Sequence, residues 1–271
     1  MATEPAYANE AARLSQPERG IWLLEMTRER EMNTLTQSLL DALQAALEIC
    51  PREGARALVV TGAGRAFCCG AHLHYFAGPQ AELTDPVTAR DRYLVRIATL
   101  YDRLEECAFP TIAAVNGYAL GGGFELALSC DLRVLAEGAR LGLPETKLGA
   151  IAGAGGVQKL VRHVGRGKAL EWILLARQID AATAERHGLA TAVVPRDDLL
   201  PAALSLAREL RALGPRAIAQ SKATIYASED ADLRTARRYG LDALSMLVGG
   251  PEWREGMEAF VDKRPPGFDS W

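Results

Sequence analysis

Three things are scarce in this sequence: basic excess, long apolar runs, and cysteines or histidines at ligand spacing. There are 31 Lys and Arg against 34 Asp and Glu, a formal charge of −3. A broad nucleic-acid footprint would bring a basic excess, so nucleic acid is not an expected partner. No segment reaches the roughly 18 uninterrupted apolar residues of a membrane helix. The most apolar stretch, Ile112 to Leu128, is broken by Asn116, three consecutive glycines and Glu125. The opening MATEPAYANE is acidic and polar and does not read as a secretory leader. These readings together predict a soluble, cytoplasmic protein with no membrane association.

The five cysteines, Cys50, Cys68, Cys69, Cys107 and Cys130, are odd in number and include an adjacent pair. None forms a CxxC spacing, so the pattern reads as free thiols in a reducing compartment, with Cys68 or Cys69 as a minor candidate nucleophile. No histidine stands at metal-ligand spacing from a cysteine, and no metal is expected. His163 and His187 suggest no role.

What is present is the composition of an ordinary globular chain, with 49% hydrophobic and 24% charged residues. At 271 residues it can bury roughly three quarters of its unfolded surface. Short apolar runs read as strands at Gly20–Met26, Ala57–Thr61, Thr111–Val115 and Leu132–Ala136, with shorter ones at Arg140–Leu143 and Ala192–Val194. Helical periodicity runs over Thr34–Ile49, Ala89–Cys107 and Phe124–Cys130. Strand and helix alternate in the manner of βαβ units around a mostly parallel sheet. After about Gly165 the pattern is almost wholly helical. The expected organisation is an α/β core over residues 1–195 and a helical C-terminal region over 196–271, with no linker or internal repeat evident.

Three segments carry the chemistry. Asn116 to Glu125 (NGYALGGGFE) places glycines between a buried strand and a helix start. There the backbone can approach a ligand, and unpaired N–H groups suit an oxygen that becomes negative. Tight strand-to-helix packing would use the same glycines. A phosphate-binding P-loop is not indicated, because no Gly-Lys-Ser/Thr follows. Arg65 to Leu73 (RAFCCGAHL) puts Gly70 and Ala71 at another strand end, where a second N–H could reach the same oxygen. In Gly142 to Gly156 (GLPETKLGAIAGAGG), Pro144 stiffens the approach to Glu145.

The run AAVNGYALGGGFELALSCDLRVLAEGARLGLPETKLGAIAGAGG, with RAFCCGAHL upstream and FVDKRPPGF at the end, resembles the enoyl-CoA hydratase/isomerase (crotonase) superfamily. ETKLGAIAGAGG and the KRPP tail look most like its 3-methylglutaconyl-CoA hydratase and AU-binding homologue branch. The resemblance implies a crotonase-like repeated ββα spiral core, with C-terminal helices that cover the site and join subunits in a homotrimer or homohexamer. It implies an acyl-CoA thioester substrate and no separate cofactor, CoA being part of the substrate. The implied reaction adds water to a 2-enoyl-CoA to give a 3-hydroxyacyl-CoA, as in fatty acid metabolism. Isomerisation, C–C cleavage or hydrolysis are alternatives within the family; an RNA-binding homologue or an inactive acyl-CoA binder are remoter ones.

Carried over by position, Ala71 and Gly122 match the family's two oxyanion donors, and Glu125 and Glu145 its two glutamates. Arg28, Arg30, Phe260 and Lys263 match contacts to CoA, the latter two often supplied by a neighbouring subunit. Three positions depart from the pattern: His72 replaces a common Asp, Ala152 a frequent Pro, and Glu31 a small residue. His74, Tyr75 and Phe76 are expected to line the acyl pocket.

Overall fold

The computed structural model describes residues 4–79 and 81–271. An antiparallel meander opens the chain: β1 (Tyr7–Ala8), β2 (Ala12–Glu18) and β3 (Ile21–Met26). The helix α1 (Gln37–Arg52) starts at Thr36, whose hydroxyl accepts from the Leu39 N–H, an N-cap that satisfies one of the free donors of the first turn. Its apolar positions Leu39, Leu40, Leu43, Ala46 and Leu47 are buried on one stripe, as their spacing requires.

One unit then repeats three times. In the first, β4 (Ala57–Gly62) and β5 (Ala66–Cys68) lead to α2 (Pro86–Ala89), a wide π turn (Arg90–Leu94) and α3 (Val95–Glu106). In the second, β6 (Thr111–Val115) and β7 (Tyr118–Leu120) lead to α4 (Gly122–Ser129). In the third, β8 (Leu132–Ala136) and β9 (Arg140–Gly142) lead to α5 (Gly156–Leu174). After these come β10 (Ile179–Asp180), α6 (Ala181–Arg186) and β11 (Ala192–Val194). Four helices complete the chain: α7 (Leu199–Arg211), α8 (Pro215–Glu229), α9 (Leu233–Leu247) and α10 (Pro251–Val261).

The first strand of each pair joins a seven-stranded sheet, ordered β1-β2-β3-β4-β6-β8-β11, and the second joins a four-stranded sheet, ordered β10-β9-β7-β5. Pairing is parallel from β3 to β11 in the large sheet and from β5 to β9 in the small one. Each turn of the chain therefore adds one neighbouring strand to both sheets. This is the ββα spiral of an α/β crotonase fold.

Both faces of the large sheet are covered, so its central strands are mostly apolar, with Thr61, Thr111 and Arg133 as buried exceptions. In β4, Leu58 and Val60 enter the main core with Phe67, Leu100 and Phe124, while Ala57 and Val59 face Leu199, Ala203 and Ala207 of α7. Burying each such large aliphatic side chain stabilises the fold by about 1.5–3 kcal/mol. The C-terminal helices are anchored by charge. Buried Lys222 of α8 donates to the Leu104 and Phe109 carbonyls and to Asp131 at 2.8 Å. Glu252 of α10 accepts from the Arg216 and Ala217 N–H groups, which belong to the first turn of α8.

The sequence pattern places most of these elements but misses some. β2 contains Pro17 and alternates weakly. β5 and β7 are three residues each, too short for a period of two to register. α5 begins at Gly156, ahead of the helical pattern that the sequence shows only after about Gly165, because it is entered through glycines and broken at Gly165 (φ 78°, ψ 157°).

Candidate active site

Short strands build the site, two of them (β5 and β7) missed in the sequence and one (β9) read there. β5, β7 and β9 lie side by side and parallel, and the chain beyond their carboxyl ends carries Ala71, Gly122 and Glu145 respectively. The sequence points to strand ends as the ligand side, but assigns them to the long strands β4 and β6. The donors lie beyond the short partners instead.

The two donor peptides face each other. A β-carbon built on Gly122 would stand 3.7 Å from the Ala71 nitrogen, and one built on Gly70 would stand 2.8 Å from the Gly122 nitrogen. Neither the Ala71 nor the Gly122 N–H has an acceptor among the described residues. Gly70 (φ 80°) and Gly121 (φ 54°) take positive-φ conformations that favour glycine, and they let the two loops approach closely enough to put both N–H groups side by side. Gly122 is also the first residue of α4, so the unpaired donors of a helix start add to the field.

Two carboxylates flank these donors. Glu125, in the first turn of α4, is 4% exposed. Its Oε1 accepts from the Ala154 and Gly156 N–H groups, each at 2.8 Å. Burial raises its pKa, and those two N–H groups oppose the rise. The glycines of GAGG thus form a cradle for this carboxylate: a β-carbon on Gly156 would fall 2.7 Å from Glu125 Cγ.

Glu145 begins a 3-10 turn, Glu145–Leu148, after Pro144. Its Oε1 lies against Gly121, where a β-carbon would come within 2.7 Å. Its Oε2 is buried without a hydrogen-bond partner among the described residues. Burial, with a smaller contribution from the charge of Glu125, pushes its pKa up to about 7. One carboxylate is thus held by two backbone donors and the other is left bare. Such an arrangement separates an anionic base from a protonated acid near neutral pH.

The other sequence candidates divide. Arg28 is committed to two acidic partners, Glu10 at 3.1 Å and Glu31 at 2.5 Å, so the departure at Glu31 engages the cation expected to meet CoA. Arg30 is exposed beside it. Phe260, 82% exposed on α10, and Lys263 in the following turn make no polar contact with Glu125 or Glu145 among the described residues. His72 Nδ1 and Thr34 Oγ1 are hydrogen-bonded at 2.9 Å, and the His72 ring packs edge-on against Tyr75. Tyr75 and Phe76 both pack on Tyr93. Ala152 is buried. Burial pushes the Cys68 and Cys69 thiols up to about 12 and about 11, which removes them as nucleophiles. Among the described residues no group of three or more His, Cys, Asp or Glu could hold a metal ion.

Paired carboxylates beside two converging backbone donors, on a ββα spiral, define a class. The chain belongs to the enoyl-CoA hydratase/isomerase family, whose model matches residues 16–270. Among its relatives, the YngF protein of Bacillus subtilis is 41% identical over 89% of this chain and 92% of its own length. The 2,3-dehydroadipyl-CoA hydratase of Escherichia coli K12 is 36% identical over 92% of this chain and 94% of its own. A crystal structure of enoyl-CoA hydratase from Bacillus anthracis superposes with a TM-score of 0.90 at 36% identity, covering 97% of this chain and all of that one.

Proposed function

We propose that the protein adds water across the double bond of a 2-enoyl-CoA to give a 3-hydroxyacyl-CoA. The observation that carries this reading is the asymmetry of the pair: Oε1 of Glu125 held by two N–H groups, Oε2 of Glu145 buried and bare. Glu125 orients a water and takes its proton as the oxygen bonds to Cβ. The electrons of the double bond move to the thioester oxygen, which the Ala71 and Gly122 N–H groups hold as an enolate. Glu145 then gives its proton to Cα. Each oxyanion donor contributes about 3–4 kcal/mol to such a transition state. No redox or metal step is needed to balance the reaction, so no separate cofactor is proposed.

Arg28, Arg30, Phe260 and Lys263 belong to the proposal as contacts to CoA, with the last two reaching a neighbouring subunit. So does the division into a core (1–195) and a helical region (196–271) that covers the site and joins subunits. The exposed apolar side chains of the last helices, among them Leu233, Met246, Phe260 and Val261, support subunit contacts there. Light scattering is expected to give three or six times the 29.2 kDa chain mass. The bacterial relatives favour a cytoplasmic setting. RNA binding is not favoured, since α1 carries one cation, Arg52, in its last turn.

The test is loss of enoyl-thioester absorbance with crotonyl-CoA, then with branched and dicarboxylic enoyl-CoAs. Turnover without hydroxyacyl product, or turnover of none of them, overturns the reading.

A further inference from the structure

The two oxyanion loops come from different turns of the spiral, and the parallel ladder that joins their strands ends at Cys68 and Ala119, short of both donors. What reaches both is a single helical stretch. Tyr93 in the π turn and Tyr101 in α3 are both wholly buried. The Tyr101 hydroxyl donates to the carbonyl of Gly122 itself at 2.6 Å. The Tyr93 hydroxyl donates to the Leu35 carbonyl at 2.5 Å and accepts from the His72 N–H at 3.1 Å.

Leu35 closes the circuit. Its N–H donates to the Gly70 carbonyl at 2.8 Å. That carbonyl and the Ala71 N–H belong to one trans peptide, so holding the carbonyl turns the N–H the opposite way, toward the site. The Leu35 side chain meanwhile packs on Gly122, where a β-carbon would come within 2.7 Å of its Cδ1. Tyr93 therefore grips the Ala71 loop at Leu35 and at His72, and Tyr101 grips the carbonyl of the Gly122–Gly123 peptide, the one that follows the Gly122 N–H.

In a regular α-helix, residues eight apart differ by about 80° in azimuth. The wide turn that contains Tyr93 winds less per residue and reduces that offset, bringing both hydroxyls toward one side. π turns recur at functional sites for such re-aiming. Burial raises the pKa of both phenols, which keeps them as neutral donors.

We propose that Tyr93 and Tyr101 are positioning residues that jointly set the separation and direction of the two oxyanion donors. This rests on the oxyanion reading of Ala71 and Gly122. Neither hydroxyl touches the reacting atoms; each acts through a backbone group of a donor loop. Small misplacement of a donor costs the transition state more than the ground state, so the effect belongs in kcat.

The experiment compares Tyr93→Phe and Tyr101→Phe with the native protein and with Tyr239→Phe, an exposed control on α9. Turnover of crotonyl-CoA is measured together with the infrared carbonyl stretch of bound butyryl-CoA labelled with carbon-13 at the thioester. In each site variant kcat is expected to fall about 10-fold or more with KM within about 2-fold. The bound carbonyl, shifted to lower frequency in the native protein, is expected to move back toward its free value. Tyr239→Phe is expected to change neither. Variants that lose thermal stability but keep native kcat and native carbonyl shift would overturn the proposal and leave the tyrosines as packing residues. A native protein with no carbonyl shift would overturn the oxyanion reading itself, and this proposal with it. If one variant does not fold, the other decides, since each grips a different loop.

Discussion

Glu125 and Glu145 flank one site with opposite backbone support: Oε1 of the first takes two N–H groups at 2.8 Å, and Oε2 of the second takes none. The difference comes from the glycines around them. Gly156 lets the start of α5 close on Glu125, while Gly121 lets Glu145 lie flat against a bare α-carbon. On the proposed mechanism it separates two groups of the same chemistry into a base and an acid.

Replacing the acid tests this directly. Glu145→Gln is expected to lower kcat for hydration at least ~100-fold with little change in KM, because the lost step is proton transfer. With Glu145 as the proposed acid, kcat/KM is expected to fall as pH rises through about 7, where the free protein's Glu145 loses its proton. Rate profiles between pH 5 and 9 check the sign.

The same carboxyl should mark stability. Its folded pKa, about 7, lies above the ordinary 4.5, so the folded state binds more protons and stability falls as pH rises between those values. Glu145→Gln has no such dependence. The variant is therefore expected to gain on the native protein from pH 4.5 to about 7 and to hold that gain above, in urea melts across the range.

Gly121→Ala is expected to leave the protein folded and nearly inactive. The new methyl group would meet Glu145 Oε1 at 2.7 Å in a backbone at φ 54°, ψ −129°, a sparsely populated conformation that costs a non-glycine residue about 1–3 kcal/mol. The acid must move or the donor turn must distort. A loss in kcat above about 100-fold, with butyryl-CoA binding retained, is the expected result.

Arg56→Met addresses the fold apart from the site. Buried Arg56 donates to the carbonyls of Phe268, Trp271, Arg211 and Leu213, tying the chain end and the end of α7 to the start of β4. Its loss leaves carbonyls without a donor, and unfolding free energy is expected to drop by about 2–4 kcal/mol. Activity per folded molecule should stay native, read by urea titration beside turnover.

Much of this was legible in the sequence for physical reasons. Buried parallel strands such as TIAAV and LRVLA are rich in apolar residues on both faces, and their bounds match the structure at both ends. Glu125 stood out through the glycines before it, and Glu145 through its proline and the family pattern around it. Tyr93, Tyr101 and Leu35 carried no signal, because a buried aromatic at helical spacing reads as core whether or not its hydroxyl grips a loop. The cradle for Glu125 was half visible: GAGG announced a close backbone approach but not to which side chain. Arg28 read as a free cation because Glu10, eighteen residues away, gives no sign in sequence of folding onto it.

The spiral has a consequence for how such a chain can change. Its three turns hang the proposed components on the chain after short strands: the Ala71 donor on the first, the Gly122 donor and Glu125 together on the second, and Glu145 on the third. Apart from Gly122 and Glu125 the components sit on separate segments, so a mutation can silence one and spare others. A descendant that loses Glu145 would still polarise a thioester carbonyl, and one that loses Glu125 would still protonate an enolate. Such an architecture sheds capability piecemeal, leaving at each step a partial catalyst from which a different reaction can be selected.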